Sequence, residues 1–234
     1  MTLSKYMSSY VEAVRTRIQE VEASEEISSS QIEDSVELAV RYHSRFKPQV
    51  VVADITGSGV YDLVLPDTWE KDFSVIMSVE YPQGSREPTF LEPKEWLLYQ
   101  GETGNPTLRL LDATPTASQI VRVTFSHTHS VTKASTTIED EDYWAVGNLS
   151  AAMAARVLAA RYARVWGPVL QVDVVNFPNK AQQYLALAKE CESIWRLHLG
   201  LPADGTPKPS LSYGDWDMAY SWGHGFLVRK PGYR

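Results

Sequence analysis

The hydrophobic period of this chain changes twice, and those two change points constrain its fold more than any other feature. Up to Lys47 apolar residues recur every three or four positions; after Pro48 they alternate; from Ile138 to Gly200 the three-to-four spacing returns. A chain that runs helix, strand, helix has to pack a helical layer and a sheet layer separately, which is the α+β class. The spacing predicts a bundle of about four helices, built from 1–47 and 138–200. A small antiparallel β domain, 48–137, is inserted between the halves, and 201–234 forms an extended tail.

The first helical stretch carries Leu3, Tyr6, Met7, Tyr10, Val11, Val14, Ile18 and Val21 on one face. Ser28-Ser29-Ser30 then offers N-caps, and Ser30 with Glu33 fits a capping box for a second helix bearing Ile32, Val36, Ala39, Val40 and Phe46. That helix must stop before Pro48, because proline disfavours helical geometry in the residue preceding it. Strands are expected at Val50–Ile55, Val60–Leu65, Ser74–Tyr81, Glu95–Tyr99, Thr107–Leu111 and Ile120–His127. Gly57-Ser58-Gly59 reads as a hairpin turn joining the first two, and six short strands at this spacing suggest a small sandwich or barrel.

Thr137 is placed to cap the third helix, with Glu139 to Asp142 complementing its positive end. Seven alanines between Ala151 and Ala163 allow other helices to approach closely, so a central buried position is expected, ended by Gly167-Pro168. The last helix begins near Pro178, which suits a first turn, and buries Ala181, Tyr184, Leu185, Ala188, Cys191, Trp195, His198 and Leu199. Gly200 caps it.

The candidate chemistry is sparse. The lone cysteine, Cys191, excludes an intramolecular disulfide framework and a multi-cysteine zinc site. His127 and His129 could join Glu139, Asp140 or Asp142 in a metal site, but a solvated strand end beside a Ser/Thr-rich loop is the favoured reading, and no metal is expected. Contiguous carboxylates do not provide two distinct environments across a cleft, as acid/base pairs require. Gly57-Ser58-Gly59 lacks the lysine of a phosphate loop, and no nucleophile elbow is present. His43 and His198 lie within helices. The expectation is no catalysis and no cofactor. Neither a secretory signal nor a membrane span is visible, so the chain is expected to be soluble and made in a reducing cytoplasm.

A net charge of −7 argues against a protein that grips phosphates. Most of it lies in the middle: six basic and eleven acidic groups between 48 and 137, against four and three after Leu201. The tail is loaded with Tyr213, Trp216, Tyr220, Trp222, Phe226 and Tyr233, too short to fold alone and rich in residues that anchor interfaces.

The stretch Val172 to Lys189, with Lys180, Tyr184 and Ala188, closing at Trp195-Arg196-Leu197-His198-Leu199-Gly200, resembles the adaptor proteins of tailed bacteriophages. In that family an Ala-rich helix precedes an acidic residue and a Lys-x-x-x-Tyr-x-x-x-Ala helix ending at Leu-Gly. The match is closest over 140–200, while the tail departs from it. The resemblance implies a head-to-tail connector: a twelve-subunit ring beneath the portal protein that extends the DNA channel and receives the tail or tail-completion proteins. It would lie at the head-tail interface of a virion assembled in the host bacterial cytoplasm, and viral DNA would pass without sequence-specific binding. Trp216, Tyr220, Trp222 and Phe226 are then expected to anchor the subunit to the portal or to a neighbouring copy. A different reading makes the β region a carbohydrate- or receptor-binding sandwich on a helical stalk, with Trp69, Trp96 and Tyr99 as exposed stacking residues.

Overall fold

The computed structural model describes residues 5–18, 27–100, 106–164 and 177–201. The described elements are α1 (Met7–Ile18), α2 (Ser29–Ser44), β1 (Gln49–Thr56), β2 (Asp62–Val64), β3 (Ile76–Glu80), β4 (Trp96–Gln100), β5 (Pro106–Leu110), β6 (Ile120–His127), α3 (Tyr143–Arg164) and α4 (Phe177–His198). The fold is α+β, with helices at both ends of the described chain and two small antiparallel sheets between them.

Each helix owes its position to an apolar stripe. Met7, Tyr10, Ala13, Val14 and Ile18 are buried on α1, and Ile32, Val36, Ala39, Val40 and His43 on α2. The cap of α2 is Ser28 rather than Ser30. Its hydroxyl accepts from the Gln31 amide, and the Gln31 side chain reaches back to the Ser28 amide. Two overlapping Ser-x-x-Gln/Glu signals compete here, and the earlier one adds a first turn to the helix.

Helix α3 is central as expected, packing against α1, α2 and α4, with Ala145 through Ala152 buried without interruption. Small side chains make this possible, because only they let several helices approach one axis closely. It starts at Tyr143, later than a Thr137 cap would imply. The Thr137 hydroxyl instead accepts from the Ser130 amide. Tyr162 of α3 stacks on Tyr184 of α4 at 5.6 Å between centroids. On α4 Ala181, Tyr184, Ala188, Cys191 and Trp195 are buried, whereas Leu185 and His198 are exposed and Leu199 is half-buried. The apolar stripe of α4 is therefore narrower than its sequence suggests. Gly200 has φ 63°; its amide donates to Leu197 O and the Leu201 amide to Arg196 O, the paired closure that a left-handed glycine permits.

All six expected strands form. They pair as β1-β6-β3 and β2-β5-β4, every contact antiparallel. The expected β1–β2 hairpin does not form, because the chain crosses between sheets at Gly57-Ser58-Gly59. A Cβ at Gly57 would lie 2.4 Å from the carbonyl oxygens of Pro115 and Thr116, so only glycine lets the crossover press against that loop. Between the sheets lies a second core of Leu63, Leu65, Val79, Leu108, Leu110, Val121, Val123 and Phe125. A smaller cluster of Ala39, Ala145, Leu149 and Trp195, backed by Tyr42, Phe46, Leu199 and Leu201, sits where the chain leaves the helices for β1.

Candidate functional site

The described polar groups converge at the joint between helices and sheets. The chain crosses this joint outward at Pro48 and returns through 128–142. Lys47 follows the end of α2, and its Nζ lies 2.7 Å from Glu139 Oε2, 2.8 Å from Glu141 Oε1 and 2.7 Å from Asp142 Oδ2. Asp142 is 1% exposed, and its other oxygen lies 2.8 Å from His198 Nε2 at the end of α4. Oδ2 makes no well-angled hydrogen bond, yet an ammonium at 2.7 Å answers its charge. Burial alone would raise the Asp142 pKa; Lys47, His198 and His43 together bring it below its ordinary value. For Lys47 burial works against the charged form, and the bonds to Asp142, Glu139 and Glu141 outweigh it and raise the pKa.

Two buried histidines complete the joint. The Trp195 indole donates to His43 Nδ1 at 3.1 Å, which places the His43 proton on Nε2, facing Asp142 Oδ2 at 3.7 Å. Burial pushes His43 down to about 4, so it is neutral at pH 7. The His129 amide donates to Ser44 Oγ, and its ring nitrogens lie 2.9 Å from Thr137 O and 3.1 Å from Lys47 O. Burial lowers its pKa as well.

This geometry assigns new roles to several residues read from the sequence. The acidic run stands just before α3, at its positive end, and it also grips Lys47. Glu139, Glu141 and Asp142 could together hold a cation, and the Lys47 ammonium already bonds all three. His127 turns to Thr128 O at 2.7 Å and lies 4.0 Å from Glu70, whereas His129 points into the joint, so the two imidazoles serve different neighbours. Asp140 lies 3.7 Å from Lys5. Buried Cys191 has a raised pKa, since burial disfavours its thiolate. Lys47, His43 and Trp195 were not singled out as a group by the sequence. The only hint was His43 on the apolar stripe of α2, and nothing local pairs Lys47 with carboxylates more than ninety positions away.

The sandwich presents a second kind of surface. On its central strands Arg122 forks onto Asp54 at 2.7 and 2.9 Å, and Arg109 onto Asp62 at 2.6 and 2.7 Å. Arg109 also lies between two rings, 4.9 Å from the centre of Tyr61 and 4.2 Å from that of Tyr99. On the same face of the sheet Val64, Leu97 and Tyr99 are exposed, as is Tyr61 beside it. The aromatics of the receptor-binding reading do not share an exposed platform. Trp69 is half-buried with its ring 5.4 Å from Phe125, and Trp96 packs against the sandwich core, leaving Tyr99 outside. Trp216, Tyr220, Trp222 and Phe226 lie outside the described residues. Among the described residues no helix is long and apolar enough to cross a membrane.

No family model matches the chain, and no curated protein does. Among solved structures, similarity is found to a chain of the neck of an empty gene transfer agent particle computed with C6 symmetry. It has TM-score 0.29 and 12% identity, covering 76% of this chain and 87% of that one. A chain of the virion of the native gene transfer agent particle is similar at TM-score 0.29 and 11% identity, covering 74% and 87%. A chain of the native neck computed with C12 symmetry has TM-score 0.26 and 12% identity, covering 79% and 94%. Likeness at these scores carries no argument about what this chain does.

Proposed function

We propose that this chain is a non-catalytic subunit of the head-to-tail connector of a tailed phage or phage-like particle. In this reading copies assemble as a ring, of twelve subunits by the adaptor resemblance, below the portal protein. The ring extends the DNA channel and offers the attachment surface for the tail or its completion proteins, within a virion assembled in the bacterial cytoplasm. One observation carries the assembly part of the reading. The polar cluster at the joint spends its charges on its own members, while the sandwich turns a group of large apolar side chains outward. Catalytic sites keep reactive polar groups available, whereas assembly surfaces keep apolar ones available.

The connector part follows from the adaptor-like stretch, whose residues hold the body together. Lys180 lies over the Tyr162 ring at 5.4 Å, Tyr184 stacks on the same ring, Ala188 is buried, and Leu199-Gly200 closes α4. A net charge of −7 also suits a channel through which DNA slides, since strong basic contacts would hold it. The tail aromatics Trp216, Tyr220, Trp222 and Phe226 are proposed as anchors to the portal or to a neighbouring copy. Imaging the full chain mixed with portal rings tests the reading. Extra density stacked coaxially on the portal is expected, and no association at high concentration would overturn it. Truncation after Leu201 should abolish that association if the tail supplies the anchor.

A further inference from the structure

The β1-β6-β3 sheet ends on an open strand. Among the described residues β1 pairs only with β6, and no strand lies along its second edge. The Gly57 amide donates to Gln119 O, and pairs alternate between bonded and non-bonded along an antiparallel ladder. Residues Gln49, Val51, Ala53 and Ile55 therefore face β6, and Val50, Val52, Asp54 and Thr56 point their amides and carbonyls outward. On the far side of β6 the ladder agrees, since Ser126, the partner of Val50, donates its amide away from β1 to Val75 O. Such an edge is usually blunted by lysine, proline or a bulge. Here it runs the full eight residues of β1 in regular register, and its sequence holds neither residue. Val51, Ala53 and Ile55 face the core yet remain half-buried because the sheet stops there.

One stretch of the same chain has the complementary pattern. From Asp215 to Trp222 the residues alternate strictly, with Trp216, Met218, Tyr220 and Trp222 on one side and Asp215, Asp217, Ala219 and Ser221 on the other. Gly214 and Gly223 bound it, and it matches β1 in length. The described chain ends at Leu201, packed against the same cluster as Phe46, which lies a few residues before β1. Between Leu201 and Gly214, Pro202, Pro207 and Pro209 favour an extended spacer, which spans up to roughly 45 Å.

From these features we infer that 215–222 of one copy adds as a fourth strand along β1 of the next copy. Its aromatic side extends the half-open core beside Val51, Ala53 and Ile55. The inference rests on the reading of the tail as an assembly contact and names its acceptor. Donor and acceptor lie on different parts of one chain, so the contact is head-to-tail and closes into a ring when the rotation per step allows.

The test uses full-length chains with one added thiol each, Val52→Cys on the open edge and Ala219→Cys in the arm. They are mixed and treated with a short thiol-to-thiol cross-linker, both free in solution and on portal rings. Wild type, whose lone Cys191 is buried, sets the background. A two-copy product at least tenfold above background is expected only from the mixture, and Asp217→Pro in the arm variant should remove it, because in an antiparallel pair the residues bonded to Val50, Val52 and Asp54 are those on the Asp217 side of the arm. A product confined to single chains carrying both cysteines would overturn the inference, showing that the arm folds onto its own edge. No product at all would overturn it too. If the same proteins still bind portal rings in a tail-dependent way, the connector reading stands while the β1 acceptor falls.

Discussion

Two sets of ion pairs occupy different parts of the molecule with nearly the same distances. At the joint Lys47 meets Asp142 at 2.7 Å; on the sandwich Arg109 meets Asp62 at 2.6 Å and Arg122 meets Asp54 at 2.7 Å. The Asp142 side chain is 2% exposed, and those of Asp62 and Asp54 are 32% and 42%. Distance therefore says little about what each pair contributes. A carboxylate removed from water depends on its partners, whereas one that keeps its water gains little from pairing. The joint ties four chain segments together, and the surface forks only set the charge pattern of a face.

The largest expected effect lies at the joint. Trp195→Ala removes a fully buried ring that packs on Phe46 and Tyr42 and leaves His43 Nδ1 without its donor, so it should cost about 3–5 kcal/mol in urea unfolding. Asp142→Ala leaves Lys47 among the two glutamates but strips His198 of its partner, and a loss of about 3 kcal/mol is expected from the same measurement. A loss below about 1 kcal/mol would remove the distinction between the two sets of pairs.

Acid should discriminate the regions next. His43 has a folded pKa of about 4 against an ordinary 6.5, so the unfolded chain binds the proton first. Stability from this group is complete above pH 6.5 and falls as pH drops toward 4, by at most about 1.4 kcal/mol per pH unit. Asp142, whose pKa is lowered, adds a further loss below its ordinary range as the unfolded carboxyl protonates first. His43→Gln, which keeps an acceptor for Trp195, should flatten the slope between pH 6.5 and 4; an unchanged slope would mean that another group sets it. The smallest effects belong to the sandwich. Arg109→Ala and Arg122→Ala should each leave the urea midpoint nearly unchanged, with 0.5 M salt masking most of any difference.

What was legible in the sequence follows the same divide between local and distant causes. The strands, the closure at Gly200 and the central place of α3 were readable because alternation, a left-handed glycine and a run of alanines act over a few residues. The cap of α2 shifted from Ser30 to Ser28 because two serines two positions apart satisfy one rule. The crossover at Gly57 was mistaken for a hairpin, since strand partners are chosen by the far side of the sandwich and by Pro115 and Thr116. The ion pairs of the acidic run were missed for the same reason: its partner, Lys47, comes from the other end of the inserted sheets. Exposed tyrosines carried no local mark of the arginine that would lie between them.

The placement of Leu201 has a mechanical consequence. Helix α4 does not simply release the chain at its tip. The turn at Gly200 folds Leu201 back against the Trp195 cluster, which Phe46 also covers where α2 hands over to β1. Tension applied to the chain beyond Leu201 therefore enters at the joint and is shared between α2 and α4 in shear. Peeling α4 from its end, one turn at a time, would need far less force than breaking that cluster at once.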